Sequence, residues 1–229
     1  MRHLNVIGLT TFDDESMSKI YQTILGWFLS TRNFTAEIQK LSPVLISATI
    51  NLYNWACKNL LPTPKKSHYV FNLRDISRVI KGLLLSSSAK FAEVDKVQRL
   101  WVHESYRVFY DRLMEDSDRA LFFAQISEIV EKTIGVKMVT LYKRLDPKPS
   151  GVDDQDMRKV MFGDFVDPGA AGSKLYDELV DLDKVSLVLR SKLEDYNSLS
   201  KAPMNLVIFR FAGNFLISSG YSLLINYCF

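Results

Sequence analysis

The chain has 229 residues, 47% of them hydrophobic and 24% charged, with a formal net charge of +3. That length and apolar content suffice for one large or two small globular units. The mixed charge makes no basic stripe and argues against nucleic acid as a partner. Cys57 and Cys228 have no short spacing and read as free thiols of a reducing compartment. No apolar run reaches the ~18–20 residues of a membrane span, and Met1-Arg2-His3 does not lead into a signal sequence. The expectation is a soluble intracellular chain with no membrane partner.

Residues 4–9, LNVIGL, are apolar and β-branched and have the character of a buried strand. Asp13 or Asp14 then caps a helix with an expected buried face of Met17, Ile20, Tyr21, Ile24, Leu25 and Phe28. Ser42-Pro43 is expected to open a second helix with Pro43 at its first position, lined by Leu45, Ala48, Leu52 and Trp55. Pro62 and Pro64 stop it. Asn72 caps a third helix, with Asp75 three residues on as an acidic partner for the first-turn amides. Ile76, Val79, Ile80, Leu83 and Leu84 form its buried face, and Arg74, Arg78 and Lys81 share the opposite one. Arg74 is the oddity, because a cation in a first turn opposes the helix dipole by a few tenths of a kcal/mol. An anion nearby would account for that cost; a solvated arginine offset by Asp75 is the plainer alternative.

A fourth helix over about 93–113 is apolar on more than one side (Val97, Trp101, Val108; Val102, Tyr106, Phe109, Leu113), as expected between neighbours. Ser117-Asp118 caps a fifth, which runs through Leu121, Phe122, Ile126, Ile129 and Val130 to Gly135. Residues 136–172, with Pro147, Pro149 and Pro168, read as an irregular connection around a short apolar piece at 160–165. Ser173 is expected to cap a helical region over 174–196 with a stripe of Leu175, Leu179, Leu182, Val185, Leu189 and Leu193. Pro203 opens a further helical segment, MNLVIFRFA. The last stretch, 213–229, has no charged side chain and many β-formers, the pattern of an aggregation-prone segment.

The chain has no G-x-x-x-x-G-K-[ST] phosphate loop; Gly169-Ala170-Ala171-Gly172-Ser173-Lys174 has the wrong spacing. The acidic pair in Tyr176-Asp177-Glu178 is expected on a solvated helix turn. His103-Glu104-x-x-Arg107 has arginine where a metalloprotease helix needs its second zinc ligand, and His3, His68 and His103 do not cluster. No metal site is expected. Glu104–Arg107 and Arg107–Asp111 read instead as surface ion pairs of about 0.3–0.5 kcal/mol each. No serine or cysteine has a recognisable base partner, so no catalytic residue is assigned.

LPTPKKSHY (61–69), FNLRDISRVIKGLLL (71–85) and LWVHESYRVFYDRL (100–113) together resemble the dynein heavy chain. The resemblance runs from about Arg2 to Ala212. It is to the end of the third AAA+ module and the start of the fourth, and is closer to axonemal than to cytoplasmic dyneins. It implies a mainly α fold: an AAA+ small helical lid subdomain of about five helices after one residual strand, then a linker and the helical start of the next AAA+ module. The implied divisions are 1–12 (last strand of a large subdomain), 13–135 (lid), 136–172 (irregular linker), 173–212 (next module) and 213–229 (divergent apolar tail). Arg74 matches the sensor 2 arginine, which reaches toward nucleotide phosphates. Arg2 lies near a segment that can face a neighbour's nucleotide, although the family's arginine just upstream is absent here. The parent is an ATP-driven, minus-end-directed microtubule motor of the cilium axoneme, using ATP/ADP with magnesium. Its implied partners are neighbouring AAA+ modules, intermediate and light chains and microtubules, in cytoplasm and cytoskeleton. A fragment or truncated isoform of this kind, with no phosphate loop, is expected to bind no cofactor and to be inactive alone. The alternative is a stand-alone helical scaffold or protein-interaction module.

Overall fold

The structure, a computed structural model, describes residues 5, 7–8, 12–143, 152–164, 176–179, 182–200 and 203–207. Most of the expected strand at 4–9, Arg2, the MNLVIFRFA segment beyond Val207 and the apolar tail at 213–229 lie outside the described residues.

Helix α1 (Asp14–Thr31) leads through Asn33, at φ 56°, into α2 (Ala36–Asn59), which lies along it. Asparagine tolerates this left-handed conformation better than most residues. Met17, Leu25 and Leu29 are buried on α1, with Tyr21 and Phe28 beside them. Ile20, Ile24 and Trp27 are 46%, 42% and 67% exposed. The buried stripe therefore follows the i, i+4 row alone and is narrower than the expected face.

Pro43 does not open α2 but sits inside it, seven residues past Ala36. It removes one intrahelical bond at a cost of about 3 kcal/mol. Ile38, Ser42, Leu45 and Ile46, all buried across the proline, hold the helix continuous through it.

Helix α3 (Leu73–Leu83) forms as expected, and Ile76, Val79, Ile80 and Leu83 bury its apolar face. Helix α4 (Val94–Val108) is the central rod, lying against α2 and α3. Val97, Leu100, Trp101, Val102 and Tyr106 are buried around its circumference. The expected run to 113 breaks at Phe109, where a 3-10 turn (Tyr110–Arg112) follows. Helix α5 (Asp116–Ile129) starts one residue before Ser117, with Glu115 at its N-cap. Asp118 is no cap because its carboxylate accepts from Lys66 Nζ (2.6 Å) and the Tyr69 hydroxyl (3.0 Å). The helix closes in a π-helical turn (Val130–Ile134), and Gly135 at φ 80° donates to the Val130 carbonyl (3.0 Å). Only glycine adopts that left-handed stop without strain.

Beyond Gly135 come two short helices, α6 (Met138–Leu141) and α7 (Asp154–Met157). Strand β1 (Met161–Gly163) then pairs antiparallel with β2 (Asp177–Leu179), Phe162 opposite Glu178, and α8 (Leu182–Leu199) follows. Within the expected helix over 174–196, Asp177–Leu179 is thus a strand, and the described helix begins at Leu182. The cause is burial on both sides of β2. Phe162 stacks between Phe91 (6.0 Å between centroids) and Tyr176 (6.2 Å), and His103 lies 5.3 Å from Phe162. Met157, Val160, Phe162 and Tyr176 belong to the same core as α2, α3 and α4. Tyr176 joins that core, while Leu179, three positions on and so on the opposite face of the strand, packs with Met161 and Val185 in a second cluster.

Candidate functional site

The start of α3 is fixed before its first turn is complete. Asn72 Oδ1 accepts from the Arg74 amide (3.0 Å), and the Asp75 carboxylate accepts from the Asn72 amide (3.0 Å), a reciprocal cap. Asp75 is only 2% exposed. A carboxylate so buried needs a cation, and Arg112 supplies it in a two-pronged pairing: Nη1 lies 3.3 Å from Oδ2 and Nη2 bonds Oδ1 more closely. Arg78 adds a longer contact at 3.5 Å.

Arg112 is itself held on several sides. Its Nη1 donates to the Val70 carbonyl (3.3 Å), its guanidinium lies over the Phe71 ring (5.5 Å), and its own carbonyl accepts from His68 Nε2 (3.0 Å). From α1, the Tyr21 hydroxyl donates to the Leu73 carbonyl (3.3 Å) and lies 2.8 Å from Ser77 Oγ. The preceding loop is tied to α5 through Lys66, which pairs with Asp118 (2.6 Å) and Glu115 (2.7 Å). Those two carboxylates push the Lys66 ammonium above its ordinary value.

Arg74 projects from this braced corner. It is exposed, and its guanidinium makes no hydrogen bond or ion pair among the described residues. The corner carries Arg74, Arg78 and Arg112 against Asp75, a local surplus of positive charge. With the dipole of α3 behind it, the arrangement favours an anion. The result is an exposed guanidinium on a braced base, with no partner among the described residues. Arg2, the second candidate, lies outside the described residues.

The His103–Arg107 segment departs from expectation. Glu104 is 0% exposed rather than on the surface, and its Oε1 accepts from the Tyr176 hydroxyl (3.0 Å) and lies 3.3 Å from His103 Nδ1. Burial, then the Glu104 charge, pushes the Tyr176 phenol well above its ordinary value. Of the two surface pairs expected, Arg107–Asp111 forms at 3.1 Å, whereas Glu104 turns inward beneath the β1–β2 pair. Among the described residues no three His, Cys, Asp or Glu side chains are grouped to hold a metal. Nor is any described helix long and apolar enough to cross a membrane.

Asp177 and Glu178 are ion-paired, not solvated. Asp177 meets Lys96 (2.5 Å) and Lys90 (3.2 Å), while both Glu178 oxygens accept from Arg99 at 3.1 and 3.0 Å. Burial opposes ionisation of Asp177, but its bonds to Lys96, the Glu178 amide and Lys90 leave its carboxyl below the usual range.

Comparison with known proteins defines what this helical unit is. Residues 20–119 match the family model described as "Dynein heavy chain, ATPase lid domain". Helices α2 to α4, α1 from Ile20 onward and the corner around Arg74 and Arg112 fall within that match, so the unit is a helical ATPase lid. The chain belongs to the dynein heavy chain family. It is 43% identical over 211 residues to dynein axonemal heavy chain 3 of Homo sapiens, covering 92% of this chain. It is 38% identical over 212 residues to dynein axonemal heavy chain 12 of Rattus norvegicus, and 34% over 219 residues to dynein axonemal heavy chain 1 of Homo sapiens. These alignments cover 92% and 91% of this chain. The chain spans 5%, 7% and 5% of those three proteins respectively.

Proposed function

We propose that this chain closes over the nucleotide of an ATPase module in an axonemal dynein heavy chain and presents Arg74 to the phosphates. One observation carries the reading: Arg74 is exposed and without a partner among the described residues, yet it stands on a helix start held by a reciprocal cap and by the Asp75–Arg112 pair. A surface arginine with no task needs no such base. ATP or ADP with magnesium, held by the large subdomain of the same module, is the anion that fits this corner of surplus positive charge. The group would supply the phosphoryl charge; Arg74 would bind and orient it.

In this reading residues 13–135 are the lid, 1–12 the last strand of the large subdomain, 136–172 the connection and 173–212 the opening of the next module. The parent would work as an ATP-driven, minus-end-directed microtubule motor in the cilium axoneme. Neighbouring modules, intermediate and light chains and microtubules would be its partners. The lid alone would not turn over ATP, because it brings one phosphate contact and no phosphate loop.

The test is Arg74→Ala in a heavy chain that carries this lid, with nucleotide affinity measured at that module. A charge-assisted hydrogen bond worth about 1.5–3 kcal/mol corresponds to a loss of about 10- to 150-fold. Unchanged affinity and turnover at that module would return Arg74 to an ordinary solvated surface.

A further inference from the structure

We infer that Arg112 is a positioning residue for nucleotide sensing, holding the start of α3 so that Arg74 points at the phosphates. The inference rests on the reading of Arg74 given above. It stands on where the contacts of Arg112 fall: Val70, Phe71 and Asp75 are all in the lead-in or first turn of α3. His68, at the head of that lead-in, bonds the Arg112 carbonyl. One residue on the 3-10 turn after α4 therefore organises this stretch, its side chain holding residues 70–75 and its carbonyl holding His68.

The chemistry requires arginine. The planar fork meets both Asp75 oxygens while its face covers the Phe71 ring, and the remaining N–H geometry reaches the Val70 carbonyl. A lysine offers one compact charge that cannot do all three. Arg112 also has an electrostatic role. Together with the longer contact from Arg78, it compensates the Asp75 carboxylate one residue from Arg74, where a bare negative charge would repel phosphate. Arg74 and Arg112 make no contact with each other's side chains among the described residues, so any effect of Arg112 on nucleotide must pass through the backbone of α3 or through this charge balance.

The experiment is a double-substitution cycle in a heavy chain that carries this lid. Arg74→Ala, Arg112→Lys and the two together are compared by affinity for a fluorescent ATP analogue at that module. Hydrogen exchange of the 70–77 peptide is followed in each. Arg112→Lys is expected to weaken binding roughly tenfold, as misplacement of a contact group does, and to speed exchange at 70–77. In the Arg74→Ala background it should change affinity less than twofold, because the group it positions is gone. A loss that simply adds to that of Arg74→Ala would overturn the inference, as would an unchanged affinity with Arg112→Lys while Arg74→Ala is impaired. If Arg74→Ala is itself silent, the sensing role fails and the positioning role with it. The pair Arg112→Gln with Asp75→Asn guards against misfolding, since it keeps a hydrogen-bonded neutral contact and the cap. The pair should bind less weakly than Arg112→Gln alone if the charge balance matters, and no rescue would rule that part out.

Discussion

Trp101 gives the most direct test of the lid's core. It is 0% exposed on α4, and its indole Nε1 donates to Thr49 Oγ1 on α2 (2.9 Å), whose hydroxyl donates onward to the Leu45 carbonyl (2.7 Å). Replacing it with alanine removes the largest side chain in the seam between α2 and α4 and leaves a cavity that neighbouring helices fill only in part. The expected loss is about 3–5 kcal/mol, with the broken hydrogen bond included. At ~2–4 °C per kcal/mol for a chain of this size, the melting temperature should fall by about 6–20 °C. Trp101→Phe separates volume from polarity. Thr49 keeps its acceptor at Leu45, so no hydroxyl proton is stranded, and the loss should be only about 1–2 kcal/mol. Urea melts of the three proteins decide the matter. A loss below about 1 kcal/mol for Trp101→Ala would refute a central role, and equal losses for the two variants would show that the indole hydrogen bond, not the filled volume, governs the seam.

Asp75→Asn keeps the cap but strands the partly buried Arg112 charge. It should cost about 2–3 kcal/mol in denaturant melts, less than a fully buried pair. Arg74→Ala in the same chain should stay within about 0.5 kcal/mol, since the side chain supports nothing around it. Alkaline titration should reveal two raised phenols. Burial, then Cys57, pushes Tyr53 up to about 12, and burial, then a hydrogen bond to Asp154, does the same for Tyr110. A folded value raised above the unfolded one near 10 holds its stability below pH ~10 and loses it as pH rises toward 12. Thermal melts should therefore be flat in pH up to about 10 and fall beyond it; no fall by pH 12 would mean these tyrosines ionise freely. At the acid end, Asp177 has a lowered value, so its hold on Lys96 and Lys90 should weaken as pH drops below about 4. Hydrogen exchange across 176–179 at pH 3 and 6 would show it.

Local signals in the sequence were enough for α3: Asn72 and Asp75 lie three apart, and their reciprocal cap forms as that spacing dictates. Gly135 likewise marks the end of the fifth helix by its own backbone freedom. Arg74 is legible for the opposite reason, since a cation in a first turn is locally unfavourable and calls for an explanation. What the sequence hides is pairing over distance. Arg112 reaches Asp75 across 37 positions and Glu178 reaches Arg99 across 79, and no periodicity encodes either. Pro43 misleads because proline is common at a helix start, while the apolar row from Ile38 to Ile46 runs straight through it. The run from Tyr176 to Leu179 misleads because a three-residue strand is too short for a period to emerge, and tertiary burial decides its conformation.

The two ion-paired seams along α4 share a physical logic that differs from simple stabilisation. A buried pair recovers little more than the desolvation it costs, so neither Asp75–Arg112 nor Glu178–Arg99 is there chiefly to raise the melting temperature. Both fix registration instead. In β2 the side chains alternate, and Asp177 meets Lys90 and Lys96 while its neighbour Glu178 meets Arg99. A slip of one residue would carry Leu179 toward Arg99 and leave a carboxylate without its cation. At α3 a shift of the first turn would separate Asp75 from the fork of Arg112 and open the cap on Asn72 together. The two seams sit at opposite ends of α4, Lys96 and Arg99 near its start and Arg112 just past its end. Helix α4 thus sets, through charge, where the β1–β2 pair lies at one end and where α3 begins at the other, and Arg74 inherits its position from that arrangement.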